Sequence, residues 1–431
     1  MTNTKHIYAF ILGLNHSLSK VEILNVLVKQ QIDFKLVECS QEVLIIESAT
    51  DLKTLNIELF GGVVKFVEII KTAPLETFFA DDSDFFSSVD IADFIPDKAE
   101  KITFGVSVYS AGCKFKDLNY AWYIAPKFAE WVQYASDLLD TKANFLPLKE
   151  RRLSTAAVDK GRLLKRGFEM CLCVGSEKMY IGKTLAIQDY ASYGFRDYGR
   201  PERDAHAGMI PPKIAKIMIN LANQNKLATM YDPFCGSGTM LEEMMLLGFR
   251  KLKGSDMSDK AVADSKANLK WLFEHYGDIK RETYQFDLFQ ADVTLSSQKL
   301  DLESIDAIVT EPYLGSVNAR YFNKVQAAKE MDMLERLYLE TFGQFRNILH
   351  QNGVVVIIFP VLKVRQEFFY LQILDDLKIE GWVQQSYVPQ QFNNEKDLAK
   401  LNLTLTDRNS IVYFRPDQTV SREIMVFKKT K

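Results

Sequence analysis

The sequence predicts an α/β protein whose C-terminal half is a doubly wound sheet and whose N-terminal half holds two smaller α/β modules. Three observations lead to this fold class. The composition is that of a folded soluble protein, with 47% hydrophobic and 25% charged residues. Strand-like apolar runs alternate regularly with helical patterns from residue 228 onward. The 431 residues are enough for two or three domains, which we place at 1–71, 72–188 and 213–431, with a linker at 189–212.

The first module has the element order of a ferredoxin-like unit. HIYAFILGL predicts a strand, and SLSKVEILNVLVKQ predicts a helix because its apolar residues are spaced for one face. FKLVEC and EVLIIES predict a hairpin, TDLKTLNIELFGG predicts a second helix, and FVEIIKTAP predicts a closing strand. The order β-α-β-β-α-β is that of the ferredoxin-like motif.

The second module is a further α/β unit with a basic segment. We expect a strand at ITFGVSVYS, a long helix over 119–140, and two later strands. Residues 149–166 carry seven bases and two acids in a chain of net charge −3. A solvated helix end is one interpretation of this segment, and a surface that contacts RNA phosphates is the other. The residues that would make those contacts are Arg151, Arg152, Lys160, Arg162, Lys165 and Arg166.

The composition also excludes several classes of protein. The net charge of −3 argues against a chain that binds nucleic acid through overall positive charge. Five scattered cysteines argue against a disulfide framework and for a reducing compartment. No run reaches the roughly 18 apolar residues that span a bilayer. We therefore expect a cytoplasmic protein that needs neither a membrane nor a metal.

The first chemical motif is DPFCGSGT, residues 232–239, which ends an apolar strand and opens a helix. Gly236 and Gly238 remove side chains where a ligand must approach the backbone. The helix N-terminus beyond them supplies free N–H groups. The spacing is neither that of a phosphate loop nor that of a dinucleotide fingerprint. A tight turn without a ligand is the other interpretation.

Two acids follow at the ends of the next two predicted strands. Asp256 lies about twenty residues beyond the glycines, where a carboxylate can accept hydrogen bonds from a ribose diol. Asp292 follows the next predicted strand, where a short polar side chain can meet an adenine amino group. The alternatives are a helix N-cap for Asp256, for which Ser258 competes, and an Asp-X-Thr turn for Asp292.

The last motif is TEPYLG, residues 310–315, at the end of the predicted strand IDAIV. The carboxylate of Glu311 can accept a hydrogen bond from an exocyclic amine, and Pro312 donates no N–H. The ring of Tyr313 can stack on a planar base, an interaction worth roughly 1–3 kcal/mol. A proline turn that only ends a strand is the alternative interpretation.

Together these motifs, in this order, resemble the amino-methylating branch of class I S-adenosylmethionine-dependent methyltransferases. The resemblance implies a Rossmann-like sheet, S-adenosyl-L-methionine as cofactor, and Glu311, Pro312 and Tyr313 as catalytic residues. The family tetrad reads Asp/Asn-Pro-Pro-Tyr/Phe, so here it aligns with either Glu311 or Thr310 in the lead. The implied cofactor-binding residues are Asp232, Phe234, Gly236, Gly238, Thr239, Asp256 and Asp292.

The resemblance extends upstream. Residues 149–188 resemble the C-terminal part of a THUMP domain, and RDYGRPERDAHAGMIPPKIAKIMINLA resembles the segment that joins THUMP to a methylase. This arrangement is similar to the tRNA guanosine-10 N2-methyltransferases, which implies tRNA as partner and the exocyclic N2 of a guanosine, at position 10, as acceptor. It leaves open mono- or dimethylation and whether a homodimer or a small activator subunit is needed. Two alternatives remain: a DNA amino-methyltransferase, and a non-catalytic RNA-binding relative with a decayed tetrad.

Overall fold

The computed structural model describes residues 5–80, 82–96, 99–147, 150–203, 209–316, 318–414 and 420–430. The chain divides into two compact units. The first unit comprises residues 1–190 and 390–403, and the second comprises residues 191–389 and 404–431.

The first unit is built on a mixed sheet of eight strands in its described part. The strands are β1 (His6–Leu12), β2 (Phe34–Cys39), β3 (Val43–Ser48), β4 (Val63–Pro74), β5 (Lys101–Ser110), β6 (Lys142–Phe145), β7 (Gly167–Val174) and β8 (Lys178–Ile187). The helices are α1 (His16–Lys29), α2 (Leu75–Ala80), α3 (Asp82–Ser87), α4 (Phe115–Asp137), α5 (Thr155–Lys160) and α6 (Leu163–Arg166). The strand order is β2-β3-β1-β4-β8-β7-β5-β6.

The antiparallel strands β2-β3-β1-β4 form the ferredoxin-like part of this sheet. The prediction of a second helix in this part is wrong, because only a 3-10 turn forms at Ile57–Leu59. The cause is a close approach to α1. The Glu22 carboxylate accepts the N–H groups of Gly61 and Gly62 at 2.8 Å each. A Cβ on Gly62 would lie 2.4 Å from the Ser19 hydroxyl oxygen, so bare backbone is needed where the sequence pattern indicated helix.

The same sheet continues through the second predicted module. The boundary predicted at residue 71 falls inside β4, which pairs with β1 on one side and β8 on the other. Helix α4 begins at Phe115 and ends at Asp137, four and three residues before the predicted limits of 119 and 140, and it buries Ile124 and Phe128 in the core. The two modules therefore form one unit rather than two.

The second unit is also built on a mixed sheet, of nine strands in its described part. The strands are β9 (Thr229–Asp232), β10 (Lys251–Asp256), β11 (Gln285–Gln290), β12 (Ile305–Thr310), β13 (Leu349–Val364), β14 (Glu367–Tyr370), β15 (Trp382–Gln384), β16 (Ile411–Tyr413) and β17 (Val420–Lys429). The helices are α7 (Tyr190–Gly194), α8 (Pro212–Leu221), α9 (Thr239–Leu246), α10 (Asp259–His275), α11 (Lys324–Ile348) and α12 (Leu374–Ile379).

The strand order is β11-β10-β9-β12-β13-β17-β15, with β14 paired to β13 and β16 to β17. The five strands from β11 to β13 are parallel, and β17 is antiparallel between β13 and β15. The chain winds outward from β9 in both directions. The predicted doubly wound sheet is therefore confirmed, and its switch point lies between β9 and β12, where open α/β sheets bind ligands.

Residues 390–403 lie between β15 and β16 in sequence but belong to the first unit. They include helix α13 (Glu395–Leu401). The ring of Phe392 stacks on Phe34 of β2, with ring centroids 4.8 Å apart. Lys20 Nζ of α1 donates to the carbonyl of Leu401 at 2.8 Å, and Lys400 Nζ donates to the carbonyl of Leu36 at 2.8 Å. This segment, which we assigned with 213–431, instead packs on α1 and the terminal strand β2.

Candidate active site

The sheet topology brings the four predicted motifs to one edge. The glycine loop follows β9, Asp256 ends β10, Asp292 follows β11, and the TEPYLG motif follows β12. These strands are parallel and adjacent, so their carboxyl ends meet.

The two loop glycines serve different purposes. Both have left-handed backbone, with φ of +50° at Gly236 and +95° at Gly238, which glycine adopts without strain. A Cβ on Gly238 would lie 3.3 Å from Ser265 Cα of α10, so this glycine permits close packing of the loop on that helix. A Cβ on Gly236 would meet no atom within 4 Å among the described residues. The space beside Gly236 is therefore open.

Asp256 is tied directly to the glycine loop. Its Oδ2 accepts the N–H of Gly236 at 3.1 Å, and its Oδ1 accepts the N–H of Ser258 at 2.9 Å. The N-cap of α10 is Ser258, whose hydroxyl accepts the N–H of Ala261 at 3.3 Å. The competing helix-cap role thus falls to Ser258. Each carboxylate oxygen has more than one acceptor site, so Asp256 can still accept from a ligand.

Asp292 forms the local turn that we considered as its alternative role. Its Oδ1 accepts the N–H of Thr294 at 2.9 Å and the Thr294 hydroxyl at 2.8 Å. The side chain is exposed, and these two bonds use the same oxygen. Among the described residues, both hydrogen bonds to this carboxylate go to Oδ1 and none to Oδ2.

Asp232 joins the glycine loop to the last motif. The fully buried Thr310 hydroxyl donates to Asp232 Oδ1 at 2.6 Å, and the N–H of Phe234 donates to the same oxygen at 3.2 Å. Burial raises the pKa of Asp232 to about 7, although these two hydrogen bonds oppose the shift and the carboxylates of Asp256 and Glu311 add to it. Phe234 itself is half-buried against the core.

The motif after β12 presents one charged side chain and one ring. Glu311 forms an ion pair with Arg422 of β17, whose Nε donates to Glu311 Oε1. Pro312 is buried, whereas the Tyr313 side chain is about half exposed. The Tyr338 hydroxyl donates to the carbonyl of Tyr313 at 3.3 Å, which fixes the backbone beneath the ring. No local pattern in the sequence indicated Arg422.

Thr239, which we predicted to bind the cofactor, has its hydroxyl turned to another partner. Arg200 donates to Thr239 Oγ1 at 2.7 Å and pairs with Glu242 at 3.4 Å. The next residue of α9, Glu243, pairs with both Arg196 and Lys216. Burial raises the pKa of Glu242 to about 8 against the opposing effect of Arg200.

These charged residues are all nearly inaccessible to solvent. They attach the predicted linker to α9, which follows the glycine loop. The Thr239 hydroxyl therefore binds Arg200, whereas we predicted that Thr239 binds the cofactor. The signal for this contact was present in the sequence as two adjacent acids in the otherwise apolar helix TMLEEMML.

The basic residues of the segment 149–166 differ in whether they have an acidic partner. Arg151 donates to both oxygens of Glu42, at 2.7 and 3.0 Å, and to the carbonyl of Val108 at 3.2 Å. Arg152 lies 3.4 Å from the same carboxylate. Arg151 is thus tied to Glu42 within the first unit, whereas the Arg152 side chain is 46% exposed. The basic residues exposed on α5, α6 and the turn between them are Lys160, Arg162, Lys165 and Arg166.

The described residues contain no group of three or more His, Cys, Asp or Glu side chains that could hold a metal ion. Within the same ranges, none of the helices has the length and apolar character needed to cross a bilayer.

The strand order, the antiparallel β17 and the motifs gathered at one sheet edge are those of the class I methyltransferase fold. TrmN from Thermus thermophilus shares the fold, with a TM-score of 0.53, 13% identity, and coverage of 99% of this chain and 100% of that one. Residues 200–386 match the family model described as UPF0020, RMKL-like, methyltransferase domain.

Two curated relatives are both tRNA (guanine(10)-N2)-dimethyltransferases. The protein of Methanothermobacter thermautotrophicus is 30% identical over 155 residues, which are 36% of this chain and 40% of that protein. The protein of Methanocaldococcus jannaschii is 31% identical over 181 residues, which are 42% of this chain and 46% of that protein. The chain is thus similar to less than half the length of each.

Proposed function

We propose that this chain is an S-adenosylmethionine-dependent tRNA methyltransferase that acts on the exocyclic N2 amine of a guanosine, at position 10. One observation carries the proposal. The glycine loop, Asp256 and the TEPYLG motif are joined at one sheet edge through the hydrogen bonds from Gly236 to Asp256 and from Thr310 to Asp232. The names of the two archaeal relatives supply the nucleoside and its position. Such an enzyme works where tRNA is processed, in the cytoplasm.

The residues at this edge fit S-adenosyl-L-methionine. Open space beside Gly236 admits a ligand against bare backbone, and Asp256 can accept from a ribose diol. Met257 is 72% exposed at the same strand end and offers an apolar surface for a purine. Asp292 has Oδ2 for an exocyclic amine. When bound, the cofactor supplies an electrophilic methyl group.

The acceptor side of the site belongs to Glu311 and Tyr313. The guanine amine is a poor nucleophile because its lone pair is delocalised, so its orientation matters most. Arg422 occupies Oε1 of Glu311, and Oε2 is left to accept an N–H of the amine. Tyr313 presents its ring to a base turned out of a stem. Thr310 is buried and donates to Asp232, which supports the alignment with Glu311 in the lead.

The RNA surface that we propose consists of Lys160, Arg162, Lys165 and Arg166. Exposed bases on short helices position RNA through its phosphates, without reading sequence. Arg152, whose side chain is 46% exposed, belongs to the same basic segment, and Arg151 is paired with Glu42.

The test is methyl transfer from labelled cofactor to three substrates: unmodified tRNA with guanosine at position 10, the same tRNA with adenosine there, and duplex DNA. We expect label only in the first. Label in DNA would replace the proposal with a DNA amino-methyltransferase. RNA binding with no label in any substrate would identify a non-catalytic relative. Cofactor binding is measured in parallel, so that a protein unable to bind the cofactor is recognised.

A further inference from the structure

We propose that Arg422 is a positioning residue for methyl transfer, which holds Glu311 as an ionised hydrogen-bond acceptor at the reacting amine. The inference rests on the proposed function. Three features of the structure support it: the ion pair, its burial, and the place of Arg422 in the sheet.

The sheet topology explains why a residue 111 positions away reaches Glu311. Thr310 at the end of β12 is in register with Ile357 of β13, and Pro360 of β13 is in register with Arg422 of β17. Strand β13 continues past the end of β12, and Pro360 lies three residues, about 10 Å, beyond Ile357 along it. Because β17 is antiparallel, its beginning lies at the edge where the parallel strands end. Arg422 therefore enters the site from a strand that carries none of the four motifs.

The pair is shielded from solvent. The side chains of Arg422 and Glu311 are 3% and 13% exposed. A carboxylate in such surroundings favours the protonated form unless a cation compensates it. Burial raises the pKa of the Glu311 carboxyl, and the Arg422 guanidinium opposes that shift. A protonated Glu311 would offer a hydrogen to the amine instead of accepting one.

The other ionisable groups near Glu311 cannot replace Arg422. The Tyr338 hydroxyl has the carbonyls of Ile358 and Tyr313 within reach of its one hydrogen, at 3.1 and 3.3 Å, and burial together with the charge of Glu311 raises its pKa. Asp232 is an acid and disfavours the charge on Glu311. Among the described residues that interact with Glu311, Arg422 is therefore the one cation.

Arg422 also fixes the direction of a long side chain. Glutamate has one more rotatable bond than the aspartate or asparagine that leads the family tetrad, and ordering it costs conformational entropy. The guanidinium holds Oε1, so Oε2 keeps one orientation before the substrate arrives.

The experiment compares Arg422→Gln, Arg422→Lys, Glu311→Gln and the double variant Arg422→Gln/Glu311→Gln. Arg408→Gln is the matched control, because Arg408 also pairs with a buried glutamate, Glu423, in the same unit. For each protein we measure kcat and KM on tRNA across pH, cofactor affinity without RNA, and the unfolding temperature across pH.

We expect Arg422→Gln to lower kcat at neutral pH by roughly 10- to 100-fold with cofactor affinity unchanged. The acidic limb of its kcat profile moves to higher pH, so activity recovers in alkali. Arg422→Lys restores the position of the limb, and Arg408→Gln leaves it unchanged. In the Glu311→Gln background, Arg422→Gln causes no further loss. An unmoved limb in Arg422→Gln, or an equal movement in Arg408→Gln, overturns the proposal.

The unfolding data separate this inference from the proposed function. If the unaltered protein transfers no label to RNA, the proposed function is wrong. The dependence of the unfolding temperature on pH still tests the ion pair in that case. An uncompensated Glu311 has a raised folded pKa, so Arg422→Gln loses stability as pH rises through that pKa. The double variant lacks the carboxyl and loses that extra dependence. If the stability of Arg422→Gln depends on pH as that of the unaltered protein does, the inference is contradicted. If Arg422→Gln does not fold, the inference requires that the double variant folds, because it lacks the uncompensated carboxyl.

Discussion

At the scale of single residues, the candidate site depends on a few groups placed where the backbone or the solvent exposure is unusual. Gly236 has left-handed backbone beside open space, and Asp232 is an acid buried between two other carboxylates. The four motifs were predictable because each follows a strand with an obvious local pattern. Arg422 was not, since its partner lies 111 residues away and only the antiparallel β17 brings the two together.

Replacing Gly236 by valine should abolish cofactor binding, because the side chain would fill the space open beside the loop. Gly248 is the matched control: its φ is +89°, and a Cβ there also meets no atom of the described residues within 4 Å. Both variants carry a backbone strain of about 1–2 kcal/mol. Calorimetry should show cofactor binding to Gly248→Val only. Equal affinity in the two variants would contradict the assignment of the loop.

Replacing Asp232 by asparagine should flatten the dependence of stability on pH. The folded pKa of about 7 lies above the unfolded value of roughly 3.9. The stability that the protonated acid contributes is therefore full below about pH 4 and is lost as pH rises through 7. The amide introduced by Asp232→Asn keeps an oxygen that can accept from Thr310. Glu242, whose pKa is about 8, is unchanged in this variant, so part of the loss of stability with rising pH remains.

The measurement is the unfolding temperature of both proteins between pH 4 and pH 8. The stability of Asp232→Asn relative to the unaltered protein should increase with pH. Parallel curves would show that Asp232 does not titrate in this range.

At the scale of elements, strands and long helices followed from hydrophobic pattern, whereas elements shaped by distant contacts did not. The predicted helix near residue 57 is a single turn because Glu22 of α1 binds the two glycines after it. Thr239 opens the predicted helix α9, but Arg200 of the linker takes its hydroxyl. In both cases the deciding partner lies 39 or 40 residues away and cannot be read from local spacing.

Replacing the exposed basic residues of α5 and α6 should weaken RNA binding to a similar extent for all tRNAs. Changing Lys160, Arg162, Lys165 and Arg166 to alanine should reduce the slope of log affinity against log salt by about one per lost phosphate contact. The control is Lys270→Ala, on the exposed face of α10. Filter binding at several salt concentrations gives the slopes. A slope equal to that of the control variant would identify α5 and α6 as a solvated surface.

The segment 390–403 should separate from the first unit when its aromatic anchor is removed. Phe392 is buried against Phe34, and Phe→Ala in a core costs roughly 3–5 kcal/mol. Hydrogen exchange should accelerate in α13 and β2 of Phe392→Ala. Leu405→Ala, at a side chain 42% exposed just beyond the segment, is the control. Unchanged protection of α13 in Phe392→Ala would show that Phe392 does not anchor the segment.

At the scale of the whole molecule, the chain combines a class I methyltransferase sheet with a second α/β unit that exposes a basic surface. The doubly wound sheet was predictable because its strands and helices alternate along residues 228–360. The extent of the first unit was not. One strand, β4, belongs to both predicted modules, and 14 residues from the C-terminal part of the chain complete the unit.

The most direct test of the central claim is the identity and position of the methylated nucleoside. Unmodified tRNA is treated with the protein and the cofactor, digested to nucleosides and to mapped fragments, and analysed by mass spectrometry. We predict N2-methylated guanosine at position 10 and much less of it in Glu311→Gln. A methyl group on adenine, on cytosine or on another position of guanine, or an unaffected Glu311→Gln variant, would contradict it.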